Sequence, residues 1–455
     1  MAIFGKRRAR DDAPADGAPR TLLDETSPYG SRRVLVATNG TETWAQLFDG
    51  SGGQVTALWL AAHRGPTPDV QLSVPPETTR NPSGRPHFDR VEAVWFEEGD
   101  GVALFDADGM LAVLPGWAGP ETLPGYAREA VAPSPSAAPL QSAIEQFGPR
   151  AERARGYWAW RARQEAWQEY QQDVAQHVAT RLGQAQQVWP LGQGNPPVVA
   201  GRHGTENEHV AVTVGMSAQR MPAVEQYVDE PGPYSRIELA VAGLGRGDVD
   251  LVLLRWLARH PWRAATWIGS RHTVRWPGTG FPVGEPFAGV LLLDEPTLLP
   301  GPAAPDLGGH NIFGDPVRFL WLVPVTEEEI TTARAEGVDA LLAQLRAAGR
   351  TWVAGDAGKP ATPPADPALG EADDDLADDE EAAAGPDADD EDAASGPDAD
   401  DDTDADADAI VDAVAGNDDE VEDTAKQATP KAADDEPAPD ADAPMEAQDS
   451  NRADD

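Results

Sequence analysis

The sequence predicts an α+β protein in three parts: a small antiparallel β-rich module, a larger mixed α/β domain, and a disordered acidic tail. Three observations predict it. All 14 Trp lie before residue 361, so the material for a core is confined to the chain ahead of that point. From Ala361 to Asp455, 36 acidic side chains stand against 3 basic ones, placing −33 of the formal −43 charge in the last 95 residues. Between the ends, short β-branched runs separated by turn residues come first, and stretches of helix formers alternating with apolar runs come after.

Residues 1–30 mix charge with Pro and Gly and read as a disordered arm. Strands are expected at Arg33-Val-Leu-Val-Ala37, at Trp44-Ala-Gln-Leu-Phe48 and at Val55-Thr-Ala-Leu-Trp-Leu60, the last apolar at nearly every position and so central. Residues 66–87, with six prolines, cannot be ladder-paired throughout and read as a long loop. Arg90-Val-Glu-Ala-Val-Trp-Phe96 and Gly101-Val-Ala-Leu-Phe105 form the next hairpin. Met110-Leu-Ala-Val-Leu114 follows a turn whose Asp108-Gly109 supplies positive φ. Residues 31–130 therefore form the β-rich N-terminal module.

Character changes after the Pro-rich residues 133–139. Trp160, Trp167, Tyr170, Val174, His177, Val178 and Leu182 recur at threes and fours, which predicts one amphipathic helix of about 30 residues. Strands are expected at His209-Val-Ala-Val-Thr-Val214, Ser235-Arg-Ile-Glu-Leu-Ala-Val241 and Gly289-Val-Leu-Leu-Leu293. A helix over residues 248–260 falls between the last two. Val317-Arg-Phe-Leu-Trp-Leu-Val323 is an uninterrupted apolar strand leading to Thr326 and Glu329, the spacing of a capping box. Residues 140–355 make up the mixed α/β domain, and residues 356–455 the Asp/Ala/Pro-rich tail. A tail that buries almost nothing predicts that removing Ala361–Asp455 shifts the calorimetric unfolding midpoint by less than about 2 °C near physiological salt. A large fall would mean that it packs on the fold.

Composition excludes several function classes. With no Cys there are no disulfides, thiolate metal sites or cysteine nucleophiles. No apolar run approaches the ~18 residues of a membrane span. The basic start leads into Asp11-Asp12-Ala-Pro-Ala-Asp16 rather than an apolar segment, so a cytoplasmic location is expected. Only 4 of the 35 basic residues are Lys, and Ala is abundant, a usage that suggests a GC-rich bacterial genome.

Candidate chemistry is sparse. His203, Glu206, Glu208 and His209 are types that bind zinc, but their spacing fits neither a helix face nor a strand edge, so a polar loop is expected. Gly243-Leu-Gly245-Arg-Gly247 matches neither a dinucleotide fingerprint nor a P-loop. Ser217 follows Gly215-Met but lacks the closing glycine of a nucleophile elbow. His260 and His272 flank Trp262 and Trp267 and read as packed histidines. Asp-x-Asp spacings in the tail lack the turn Gly and terminal Glu of a calcium loop. No catalytic residue, cofactor or metal is expected, and the tail's charge argues against direct nucleic-acid binding. One cluster stands out: Trp256, Arg259, Trp262 and Arg263, joined by Arg236 and Glu238, supply the residue types that dominate protein-binding hot spots, with core packing the competing explanation for at least half of the Trp in this region.

Over about residues 140–350 the sequence resembles the Suppressor of fused-like domain of bacterial, actinobacterial-type proteins. The resemblance rests on Ala211-Val-Thr-Val-Gly-Met-Ser217, Tyr234-Ser-Arg-Ile-Glu-Leu239, Pro286-Phe-Ala-Gly-Val-Leu-Leu-Leu293, Val317-Arg-Phe-Leu-Trp-Leu-Val-Pro-Val-Thr-Glu-Glu-Glu329 and Glu336-Gly-Val-Asp-Ala-Leu-Leu342, in matching order. It implies binding rather than catalysis. Animal members hold transcription factors through peptide addition between domains, and bacterial members are commonly assigned as immunity proteins that neutralise toxins. The expectation is a non-enzymatic cytoplasmic module that sequesters or inhibits a protein partner, such as a toxin. A regulatory scaffold with no toxin partner stays open, and an unrecognised hydrolase is the third reading. The sequence leaves the oligomeric state open.

Overall fold

The computed structural model describes residues 19–39, 42–62, 90–119, 122–134, 136–205, 208–243, 249–278 and 280–354, all within one compact unit. The Pro-rich stretch 66–87, the Gly-rich residues 244–248, Glu206 and the tail beyond residue 354 lie outside the described residues. So does the whole of the second unit, residues 417–455.

The N-terminal module is two sheets packed face to face. The first is an antiparallel meander of β1 (Arg20–Thr26), β2 (Arg32–Thr38), β3 (Glu42–Asp49) and β4 (Gln54–Ala62). The second runs β5 (Glu92–Trp95), β6 (Val102–Asp106), β7 (Gly109–Leu114), β8 (Tyr126–Ala127) and β9 (Ala138–Pro139). Alternate residues of both sheets meet between them: Val34, Val36, Leu47, Leu58 and Leu60 from one, Trp95, Val102, Leu104, Leu111 and Leu114 from the other. The β6–β7 turn is the Asp-Gly turn expected, with Gly109 at φ 113°. Residues 20–30 correct the reading of a disordered arm. Leu22 and Leu23 pack on the sandwich core as part of β1, and Tyr29 is buried in the core of the following domain.

The single long helix of the sequence pattern is two. α1 (Ile144–Arg161) and α2 (Gln164–Leu182) are broken at Arg163, whose ψ of 118° is extended. The break arises because the two halves serve different cores. α1 lays Phe147, Ala151 and Ala154 on the outer face of the second sheet, and α2 lays Tyr170, Val174 and Val178 on the next domain. One rigid rod cannot follow both surfaces.

The larger domain is built on an eight-stranded sheet. Its strands are β10 (Gln187–Pro190), β11 (Val199–Gly204), β12 (His209–Val214), β13 (Arg236–Ala242), β14 (Thr273–Arg275), β15 (Phe287–Leu293), β16 (Asn311–Ile312) and β17 (Asp315–Thr326). The order is β10-β11-β12-β13-β17-β15-β14, with β16 paired to β17, and β13 runs parallel to β17. Because side chains alternate along a strand, Ile237, Leu239 and Val241 of β13 face one side, packed with α3 (Val249–Leu257) and α4 (His260–Ala264). Ala240 and Ala242 face the other, with α2, α5 (Glu327–Glu336) and α6 (Val338–Ala347). Helices thus cover both faces of a largely buried sheet, which is why β13 and β17 are mostly apolar apart from Arg236, Glu238, Asp315 and Arg318. α5 starts with the expected capping box: the Thr326 hydroxyl accepts from Glu329 N at 3.2 Å and the Glu329 carboxylate from Thr326 N at 2.8 Å. Among the described residues no helix is long and apolar enough to cross a membrane.

Candidate functional site

The six residues singled out from the sequence do not form one surface, and that reading is corrected here. Arg236, Glu238 and Trp262 are at most 1 % exposed and Arg259 is 4 % exposed, whereas Trp256 is half-buried and Arg263 exposed. The first four cannot touch a partner in this conformation. Sequence spacing had no access to this, since Arg and Trp are equally at home in hot spots and in buried networks.

Arg236 and Glu238 project from β13 toward the α2 side and anchor two polar networks. Arg236 makes ion pairs with Glu97 at 2.7 Å and Asp315 at 2.9 Å, and donates to the Ser217 carbonyl at 3.0 Å. Arg220 holds the same Asp315 at 2.8 Å and donates its backbone N–H to Glu97 at 2.9 Å. Glu97 comes from the β5–β6 turn of the N-terminal module, so a hairpin tip plugs into the larger domain. Asp100 of that turn accepts from Ala223 N at 3.2 Å. Burial pushes the Asp100 carboxyl up to about 6, aided by the charge of Glu98. Glu238 receives donors from Thr213 Oγ1, Ser217 Oγ, Tyr170 Oη and the backbone N–H groups of Gly215 and Ser217, at 2.6–3.2 Å. Burial drives its carboxyl above the usual range and these hydrogen bonds oppose the shift.

Above these networks opens a cleft of about 320 Å³ between α2 and the β16–β17 turn. Trp160, Tyr170, Ile312 and Phe313 give it apolar and aromatic walls, with Glu169 and Asp173 at the rim. Phe313 is 60 % exposed and held at φ 52°, a left-handed conformation costly for an aromatic residue. Its ring meets Trp160 edge-on at 5.0 Å, and the Arg236 guanidinium lies 5.3 Å from its centroid. Tyr170, fixed by Ser217 at 2.8 Å, closes the back. An exposed Phe313 against a half-buried Trp160, rigid underneath and rimmed by two carboxylates, suits an apolar side chain next to a cationic one. Of the six residues singled out from the sequence, Arg236 and Glu238 serve this cleft from below. Phe313 was missed: nothing in Asn311-Ile-Phe-Gly-Asp315 marks it in the sequence, and only the fold brings it to Trp160.

The remaining candidates resolve into structure. His209 opens β12 as expected, whereas His203 lies in the paired strand β11 rather than in a loop, with Glu208 in the turn. His209 and Arg202 bind Asp250 at 3.3 and 2.7 Å. Burial works to raise Asp250, but hydrogen bonds from His209 and Arg202 hold it below its usual range, so the cluster anchors α3. Ser217 is fully buried, its hydroxyl between Glu238 and Tyr170. His260 and His272 are buried, which pushes both down to about 4. Among the described residues no three His, Asp or Glu are placed to hold a metal ion.

Helices on both faces of a mixed sheet, with a surface cleft above the Arg236 and Glu238 networks, define an α/β domain. Residues 198–354 match the family described as Suppressor of fused protein (SUFU), and this stretch is a Suppressor of fused-like domain. That family is known for protein–protein interaction. The match starts at β11, so α1, α2 and β10 lie outside it although they were expected within the domain. Among solved structures, the Sufu-Fu complex crystal structure is similar at 14 % identity over 39 % of this chain and 84 % of that one, with a TM-score of 0.28. No curated protein matches the chain.

Proposed function

We propose that the protein is a non-enzymatic, cytoplasmic protein-binding module that sequesters or inhibits a partner protein through the Trp160–Phe313 cleft. The carrying observation is Phe313, a large apolar side chain kept exposed in a strained backbone conformation beside a carboxylate rim. Bound partners of such a site present an apolar side chain next to Lys or Arg. A toxin is one such partner, and an immunity protein of bacterial type is the finer form of this reading. The plugged union of the N-terminal module with the family domain favours the alternative of a regulatory scaffold with no toxin. Among family members in general, partner binding rather than catalysis is the established role.

The test is affinity capture from native lysate with the full chain and with Phe313→Gly, which suits φ 52° and so spares the fold. A stoichiometric partner of the parent chain should bind the variant at least about tenfold more weakly, the size of a hot-spot loss. A partner retained by Phe313→Gly but lost on removing Ala361–Asp455 would overturn the reading. Growth rescue from a co-expressed partner would separate immunity protein from scaffold.

A further inference from the structure

On the side of the sheet opposite the cleft, three arginines gather without a counter-ion. Arg255 closes α3, Arg259 precedes α4, and Arg263 lies in its last turn. Arg255 and Arg263 are exposed. Arg259 is buried and donates to three carbonyl oxygens, those of Leu191, Gly192 and Pro196. Among the described residues no carboxylate pairs with any of the three, while the other sheet-side arginines, Arg202, Arg236, Arg271, Arg275 and Arg318, each hold one. Burial, then the charges of Arg263 and Arg255, lower the Arg259 pKa, so the three guanidinium groups act on one another. A buried cation met only by carbonyls, flanked by two more cations, projects an uncompensated positive field. Half-buried Trp256, stacked edge-on with Trp276 at 4.9 Å, gives the patch an aromatic floor.

The chain itself carries the complement. Ala354, the last described residue, belongs to the same core as Trp262 and Leu257, two residues after Trp352, which packs in the core on the cleft side. Residues 361–455 carry −33, spread along the segment and including the repeated Gly-Pro-Asp-Ala-Asp-Asp of 385–390 and 396–401. About ten extended residues reach ~33 Å, enough to bring those carboxylates to the helices. Tethering keeps such a segment at roughly millimolar effective concentration.

We infer that the Arg255–Arg259–Arg263 patch is the intramolecular docking surface of the acidic tail. The contact is electrostatic and salt-released, and it leaves the cleft on the other face open. It does not rest on the partner reading of the cleft.

The test uses the full, cysteine-free chain carrying Ala264→Cys beside the patch and Ser395→Cys between the tail repeats, labelled as a donor–acceptor pair. Energy transfer should fall at least about twofold between ~0.05 M and ~0.5 M salt as the docked tail is released. A tail that only repels itself contracts on screening, so its transfer would rise instead. In low salt, Arg255→Glu with Arg263→Glu should remove at least about half of the transfer, while Arg153→Glu with Arg163→Glu, on exposed positions of the helical pair, should keep it. Transfer that rises with salt, that falls equally with both reversals, or that grows with protein concentration would overturn the inference. The salt series on the unreversed chain decides even if a reversal disturbs the fold.

Discussion

Arg236→Met is expected to destabilise the protein by about 3–5 kcal/mol, because it strips the shared cation from two carboxylates that are largely buried. Glu97 and Asp315 would face each other with only Arg220 between them. Urea unfolding followed by Trp fluorescence measures the loss, and adding Asp315→Asn to Arg236→Met should recover part of it by removing one orphaned charge. A cost below about 1 kcal/mol would mean that water reaches this network and screens it. Because Glu97 belongs to the N-terminal module, the variant should also loosen the β5–β6 turn, seen as faster amide exchange there.

Asp100→Asn should act in the opposite direction and stabilise the protein at neutral pH. With the folded carboxyl near 6 and an unfolded one near 3.9, the folded state binds more protons between those values. The parent therefore loses stability as pH rises from about 4 to about 6, and the loss is complete above the folded value. Two pKa units correspond to about 3 kcal/mol, so Asn should gain up to that amount at pH 7 and nothing below about pH 4. The amide keeps the acceptor for Ala223 N and offers a donor where Asp100 Oδ1 has no partner. Space is close, since a Cβ on Gly116 would run into this carboxylate. Chemical denaturation across pH 4–8 checks the sign. A variant weaker at every pH would show that Asp100 is ionised and held by Arg150.

Local signals in the sequence were legible where local physics decides the outcome. The Thr326–Glu329 box, the Asp108-Gly109 turn and the apolar β12, β13, β15 and β17 all express short-range rules. What stayed hidden depends on residues far apart in the chain. Arg163 has no breaker chemistry, and α1 and α2 separate only because two cores pull them apart. The turn Glu97-Glu98-Gly99-Asp100 carries only the signal of a hairpin connection, yet it is a plug, because Arg220 and Arg236 come to it from more than 120 residues away. Leu22 and Leu23 looked too few to hold residues 20–26 until β2 supplied the neighbouring ladder. The cleft was half legible: Arg236 and Glu238 were marked for the right residue types but assigned to a surface, while Phe313 carried no mark at all.

The plug also bears on how such a protein is inherited. The stretch that carries the family pattern leaves out Glu97, Tyr29 and α2, the helix that caps one face of its sheet. A copy of those 157 residues transferred alone into another gene would therefore arrive with Arg220 and Arg236 sharing Asp315 but deprived of Glu97, and with one sheet face half bare. The heritable unit is larger than the recognisable one. Changes in the β5–β6 turn and in β13 must be passed on together, which ties the history of the N-terminal module to that of its neighbour.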